Sequence, residues 1–117
     1  MIDMVEWDRC SAWLKSALDE FWSLDAVLQE IESGMAVFWP MEKSAVVTQV
    51  HQYPNGMVLR IWLAGGDLVE LKKFLPAADN YAKSIGCTAI EIEGRCGWEK
   101  VLTGYRKERV ILVKEIY

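Results

Sequence analysis

The chain has 117 residues, of which 52% are hydrophobic, and its formal net charge at pH 7 is −4. This length suits a single domain, residues 1–117, with a substantial buried core, and the hydrophobic content excludes a disordered chain. The negative charge excludes a general nucleic-acid binder, because phosphate contacts require clustered Lys and Arg.

The sequence also indicates a compartment. Cys10, Cys87 and Cys96 include no Cys-x-x-Cys pair, which fits a reducing environment and provides no zinc framework. No apolar run approaches the roughly 18 residues of a membrane span, and no basic-then-apolar leader opens the sequence. We therefore expect a soluble cytosolic protein without a metal site.

Two helices are predicted before the first strand. Apolar residues recur at helical spacing over residues 4–22, which predicts a first amphipathic helix. Ser23 is placed to cap a second helix, with Asp25 in its first turn and Gly34 at its end. Together they predict a helical hairpin.

Three strands are predicted next. Residues 35–39 and residues 45–53 have the composition and alternation of β-strands. The sequence Tyr53-Pro54-Asn55-Gly56 is typical of a hairpin turn into a third strand over residues 57–64. This third strand is apolar on both faces except at Arg60, which predicts a central strand covered on both sides.

A tight turn and a capped helix are predicted after the third strand. Gly65 and Gly66 indicate the turn, and Asp67 is placed to N-cap a helix over residues 68–85, with Glu70 as its capping-box partner. The predicted buried stripe consists of Leu68, Leu71, Leu75, Ala78, Ala82 and Ile85.

Two further residues shape the predicted helix. Gly86 stands where a helix C-cap favours positive φ. Pro76 lies inside the helix and lacks a backbone donor, so we expect a kink between Lys72 and Pro76.

The remaining sequence predicts a strand over residues 87–93, a short helix over 98–105 and a last strand over 109–116. The first of these follows a helix and should lie parallel to the third strand. The complete order is α-α-β-β-β-α-β-α-β, which predicts an α/β domain with a mixed sheet and helices on both faces.

This order resembles the GNAT fold, that of the Gcn5-related N-acetyltransferases. The stretch from Ala82 to Gly86 is similar to the A-x-x-x-G end of that family's third helix, and Gly104-Tyr105 to the G-F before its final strand. More narrowly, Gly65-Gly66-Asp67-Leu68 together with Gly94-Arg95-Cys96-Gly97-Trp98 is similar to small GNAT-like proteins of tailed phages and prophages. Some proteins of that kind are virion or internal capsid proteins.

The chain departs from the family pattern at two points. An active GNAT is expected to carry [R/Q]-x-x-G-x-[G/A] before its third helix, where backbone N–H groups hold the pyrophosphate of acetyl-CoA. Here only Ala64-Gly65-Gly66 precedes Asp67, whose carboxylate would stand where the phosphate should bind. Lys100 occupies the position expected for the family's general-acid Tyr.

A ligand or partner site is predicted around Gly65, Gly66, Asp67, Arg95 and Trp98. The two glycines permit close approach of a ligand, or they serve only the turn. Arg95 and Trp98 follow a strand at the carboxyl edge of the sheet, where they would pair with an anion and stack against it. The structural alternative is a turn in which Arg95 bonds a neighbouring carboxylate or carbonyl.

Catalytic candidates are fewer. Glu91 and Glu93 share one strand face, where one of them would serve as a general base with Tyr105 as the acid. Strand carboxylates are more often solvated or paired with Lys and Arg. A nucleophile pair of Cys96 and His51 has no supporting spacing.

These observations predict a GNAT-like protein of a phage or prophage that lacks the usual pyrophosphate loop and acts as a non-catalytic virion-associated or interaction protein. It would bind a protein partner, in the virion or in the host cytoplasm, and need no cofactor or membrane. A homo-oligomer stays open. The alternative is an N-acetyltransferase with a shortened loop that uses acetyl-CoA, and a weaker one is a small-ligand sensor.

Overall fold

A computed structural model describes residues 2–93, 102–108 and 111–116 of the chain. Its described elements run, in chain order, α1 (Met4–Lys15), α2 (Leu24–Glu32), β1 (Val37–Pro40), β2 (Ser44–Tyr53), β3 (Gly56–Gly66), α3 (Leu68–Ser84) and β4 (Ala89–Ile92). The chain is therefore of the α/β class.

The four strands form one mixed sheet in the order β1-β2-β3-β4. The first three strands are antiparallel neighbours, as expected for strands joined by short connections. β3 and β4 are parallel because α3 carries the chain back to the starting edge before β4 begins. The predicted meander and the predicted parallel strand are both confirmed.

Helices cover both faces of this sheet, as predicted. One apolar cluster lies under α1 and α2, and its buried members are Trp7, Cys10, Leu14, Val27, Ala36, Ala45, Val47, Trp62 and Leu63. The other lies under α3, and its buried members are Val46, Leu59, Ile61, Leu71, Phe74, Ala78 and Ala82. The sheet is thus the shared middle layer of two cores.

A β-bulge interrupts the pairing of β2 with β3. Val47 lies opposite Leu63 and Thr48 lies opposite Ile61, so Trp62 is an extra residue on β3. Ile61 packs beneath α3, whereas Trp62 and Leu63 both pack toward α1 and α2. The extra residue therefore reverses the alternation of side chains along the strand.

The first helix is shorter than predicted. α1 ends at Lys15 instead of residue 22, because the Ser16 hydroxyl donates to the carbonyl oxygen of Trp13 at 2.7 Å and three-residue turns follow. The Asp19 carboxylate then accepts the N–H of Phe21 at 2.8 Å, which holds a separate turn. The predicted cap of α2 is confirmed, since the Ser23 hydroxyl accepts the N–H of Ala26.

The predicted turn at Gly65 and Gly66 is wrong. β3 continues through both glycines, which pair with Ala45 and Ser44 of β2. A turn prediction from two adjacent glycines fails here because their lack of a side chain serves packing, as described below.

The body of α3 follows the predicted pattern with two changes. Of the predicted buried stripe, Leu71, Ala78 and Ala82 are buried, and Leu75 and Ile85 are half-buried. Leu68 in the first turn is 44% exposed, and Phe74 joins the core instead. Pro76 is exposed, and α3 continues on both sides of it from Leu68 to Ser84. Gly86 has φ of +87°, as its predicted place after the helix requires.

The end of the chain differs from the prediction. Residues 98–101 of the predicted short helix lie outside the described residues, and residues 103 and 104 form a turn in which Gly104 has φ of +86°, incompatible with a helix. Residues 111–116 of the predicted last strand are exposed and make no strand; residues 109 and 110 are not described. Strand-forming composition is not enough unless the segment lies against the edge of a sheet.

Candidate functional site

The C-terminal end of β3 borders an open groove. β4 pairs with β3 only from Val58 to Ile61, so residues 62–66 have a strand neighbour on the β2 side alone among the described residues. The cavity on the other side, here called the β3 groove, has a volume of about 570 Å³. It is lined by Ser16, Ala17, Leu18, Asp19, Trp22, Ile61, Trp62, Leu63, Ala64, Gly65, Gly66, Leu68, Leu71, Ile92 and Glu93.

The walls of the β3 groove combine aromatic rings with acidic side chains. Trp22 and Trp62 meet edge to face, with ring centroids 4.7 Å apart. The charged side chains on its described lining are Asp19 and Glu93, both acidic. The electrostatic potential of this groove therefore favours a cationic or neutral occupant over an anionic one.

Gly65 and Gly66 line the β3 groove, and at both positions the backbone of another segment lies close to β3. A Cβ atom on Gly65 would collide with the carbonyl oxygen of Trp13 and lie 2.9 Å from its carbon. A Cβ atom on Gly66, where φ is +117°, would lie 2.6 Å from the Cβ of Ser44. Internal packing thus requires both glycines, without any ligand.

Asp67 caps α3, as predicted. Its Oδ1 accepts the N–H groups of Val69 at 2.8 Å and Glu70 at 3.3 Å. These are the donors that an anion would use at the start of this helix. The cap therefore fills the place of a phosphate with the chain's own carboxylate.

The predicted capping box between Asp67 and Glu70 is wrong. The N–H of Asp67 donates to the carbonyl oxygen of Lys43 at 3.0 Å and has no need of the Glu70 side chain. Glu70 accepts instead the N–H of Lys43 at 2.9 Å and the hydroxyl of Ser44. Glu70 ties the start of α3 to the start of β2 and does not face a ligand.

Glu91 and Glu93 flank one guanidinium group. On the sheet face away from α3, Arg60 lies 3.3 Å from Oε1 of Glu91 and 3.2 Å from Oε2 of Glu93. The Tyr53 hydroxyl lies 3.3 Å from the same Glu91 oxygen and 3.4 Å from Arg60. These four residues, Tyr53, Arg60, Glu91 and Glu93, are called the Arg60 cluster below.

The Arg60 cluster changes the interpretation of both glutamates. Each carboxylate is ion-paired with Arg60 and is not free in the groove, as is common for carboxylates on strands. The isolated Arg60 within an otherwise apolar strand was the sequence signal for this cluster. The structural alternative of paired strand carboxylates is therefore the arrangement observed, with Arg60 as the partner.

His51 borders the Arg60 cluster through Tyr53. The two rings are stacked with centroids 6.2 Å apart. Burial and the positive charge of Arg60 lower the pKa of His51 below its ordinary value, while Glu91 and Glu93 act in the opposite direction. The surroundings of His51 therefore favour its neutral form.

Tyr105 is not brought together with the two glutamates. Burial, and secondarily the charge of Asp79 on α3, raise the pKa of its phenol. Asp79 belongs to the helix on one face of the sheet, whereas Glu91 and Glu93 point to the other. The effect of Asp79 indicates that Tyr105 lies near α3 and away from the two glutamates. Arg95 and Trp98, with Cys96, lie outside the described residues.

Two further findings concern metal ligands and membrane-spanning helices. Within residues 2–93, 102–108 and 111–116, no three His, Cys, Asp or Glu side chains converge as metal ligands would. None of the helices described above has the length and apolar character needed to cross a bilayer.

Fold and groove together define a small α/β domain built on a four-stranded mixed sheet. Two solved structures of TTHA1254 from Thermus thermophilus are similar to it. A point mutant of that protein superimposes with a TM-score of 0.69 and 16% identity, covering 99% of this chain and 94% of the other. The wild type gives 0.67 and 14%, covering 99% and 95%. At such identities the likeness shows the fold alone.

Sequence comparisons add no family. No protein-family model matches the chain, and no curated protein sequence matches it.

Proposed function

We propose that this chain is a GNAT-like domain without acetyl-transfer chemistry, which binds a protein partner through the β3 groove. The observation that carries the proposal is the Asp67 cap. Its carboxylate accepts both the Val69 and the Glu70 N–H groups. A pyrophosphate at this helix start would have to displace a bonded carboxylate and meet its charge.

The charge of the β3 groove supports the same proposal. Its described lining carries Asp19 and Glu93 and no Lys or Arg. Acetyl-CoA is a polyanion, and like charges at short distance disfavour its binding. Within the described ranges, residues 62–66 have no strand neighbour on the groove side, which suits an extended polypeptide that binds by adding a strand to an open edge.

The phage or prophage origin rests on sequence resemblance. The stretches that carry it are Gly65-Gly66-Asp67-Leu68 and Gly94-Arg95-Cys96-Gly97-Trp98. We place the protein in the cytoplasm of a host cell, with incorporation into a virion as the form in which the partner is a particle component. Acetyl-CoA belongs only to the alternative function.

The alternative is an N-acetyltransferase with a shortened loop. The observation in its favour is that Glu93 lines the groove and could face an amine there. Against it, Glu93 is ion-paired with Arg60, and Tyr105 lies near Asp79 of α3 instead of the two glutamates. The non-catalytic function does not require Glu93 and Tyr105 to come together.

Calorimetry with acetyl-CoA tests the proposal directly. We expect no heat of binding for the wild type at ligand concentrations up to about 1 mM, since that limit corresponds to an affinity too weak for a cofactor site. Asp67→Asn is the matched variant, because asparagine caps a helix about as well while removing the charge. It should also fail to bind.

Two outcomes separate the candidate functions. Micromolar binding by the wild type would overturn the non-catalytic proposal. A gain of more than about tenfold in Asp67→Asn would show that only the charge of Asp67 excludes the phosphate, and would favour a recently lost enzyme. Mass spectrometry of purified particles from the host strain tests the virion assignment independently.

A further inference from the structure

The described C-terminal segment is apolar and exposed. Ile111, Leu112, Val113 and Ile116 are 61–91% exposed, and no residue from 111 to 116 belongs to a helix or strand. Its composition is rich in the β-branched and aliphatic residues that favour strands. Side chains of this kind rarely face water together unless they meet a partner.

β4 presents an edge that matches this segment. Among the described residues, β4 pairs with β3 on one side only, so its second edge carries unpaired backbone groups. Ile90 and Ile92 reach the cluster under α3 but are only half-buried there. The core beneath α3 is thus incomplete at this edge.

We propose that residues 111–116 of one copy add as a strand to the β4 edge of a second copy, and reciprocally, to form a two-fold symmetric dimer. Two copies then satisfy two edges and bury two segments with one type of contact. Exchange of an identical element between copies is a low-cost route to a closed dimer.

Side-chain alternation supports this pairing. In a strand, Ile111 and Val113 share one face and Leu112 and Lys114 share the other. With the first face toward α3, Ile111 and Val113 would extend the core beside Ile90 and Ile92. Lys114 would then lie on the face of the Arg60 cluster.

Charge supports the same orientation. Glu91 and Glu93 both lie on the sheet face of the Arg60 cluster, where they are within 3.3 Å of Arg60. Lys114 would be an oppositely charged cross-strand neighbour of these carboxylates, which is a favourable pairing. The opposite orientation would bring Glu115 to the two glutamates.

The exposure of the segment favours a second copy as the occupant over the same chain. In the single chain every described residue from 111 to 116 is exposed, so the segment does not cover its own β4 edge. An exposed terminal segment and a strand edge without a described neighbour are what exchange between copies requires.

Sedimentation equilibrium of the full chain tests the inference. At about 100 μM we expect a mass twice the 13.4 kDa of the chain, falling toward the monomer on dilution. Val113→Pro removes a donor in the middle of the added strand and should raise the dimer dissociation constant about tenfold or more. Lys107→Pro, at an exposed position before the segment, is the control and should stay dimeric.

Lys114→Glu is a second variant, which leaves the backbone unchanged. It should weaken the dimer several-fold, and less at high salt, because it reverses the charge that faces Glu91 and Glu93. Circular dichroism of each variant checks that the fold is retained.

Hydrogen exchange distinguishes the occupants of the β4 edge. Protected amides at residues 111–116 in a dimer that Val113→Pro dissociates would support the inference. Protected amides in a monomer would assign the edge to the same chain and overturn it. A wild-type monomer with unprotected amides, or a dimer indifferent to Val113→Pro, would overturn it too.

Discussion

Gly65 lies where α1 and β3 approach most closely, and its role follows from space. A Cβ atom there would meet the carbonyl group of Trp13, which belongs to a helix and cannot move independently. The position needs glycine for packing, since φ at Gly65 is not positive. A sequence shows the glycine but not the backbone opposite, so a turn was the natural prediction.

Gly65→Ala should therefore destabilise the fold by about 2–3 kcal/mol, the usual effect of overpacking a closed site. Gly34→Ala is the matched control: φ is +85° and nothing lies within 4 Å of the added carbon, so only the backbone term of about 1 kcal/mol applies. Urea unfolding of the two variants measures the difference. Equal losses would contradict a steric role for Gly65.

His51 makes stability depend on pH. Its folded pKa is lowered from 6.5 by burial and by Arg60, so the unfolded chain binds the proton more tightly. Stability should thus be complete above pH about 7 and fall as the pH drops from 6.5 through the folded pKa.

The measurement is urea unfolding of the wild type and His51→Gln at pH of about 7.5 and 5.5, between which histidine titrates. The wild type should lose more stability than the variant over this interval. Identical losses would mean that the carboxylates alone carry the pH dependence.

At the scale of elements, local chemistry predicted most boundaries. Ser23, Asp67 and Gly86 each mark a helix end, because capping depends on residues adjacent in sequence. Two features that depend on distant residues could not be predicted in this way. Glu70 bonds residues 43 and 44 instead of the cap, and the bulge at Trp62 needs the register of two strands.

The free energy of unfolding should depend measurably on the Asp67 cap at the start of α3. Asp67→Ala leaves the Val69 and Glu70 N–H groups without their acceptor and should cost about 1 kcal/mol, whereas Asp67→Asn should cost only a few tenths. Urea unfolding of both variants measures this. A loss in Asn equal to that in Ala would show that the charge, through the helix dipole, matters more than the hydrogen bonds.

For the whole molecule, the two-faced α/β architecture was predictable from the order of elements and their apolar spacing. The candidate site was predictable only in part. Gly65 and Gly66 do line the groove, but the partner of Glu91 and Glu93 is Arg60, contributed by a neighbouring strand. Such contacts between strands depend on register, which a linear pattern does not contain.

The predicted last strand shows most clearly that a linear pattern does not contain the pairing of strands. Residues 111–116 have strand composition, yet strand formation requires an edge, and the sequence does not say which copy provides it. The α/β class can thus be predicted from one chain, whereas the last strand is inferred to form only when residues 111–116 pair with β4 of a second copy.

The extra residue at Trp62 also bears on how such a protein escapes polymerisation. A long, flat and regular margin invites stacking without limit into cross-β fibrils. The bulge bends and twists the upper part of β3, so successive molecules cannot align there in a straight ladder. Deletion of this single residue would restore regular pairing of β2 with β3 and remove the bend that the bulge gives to this margin.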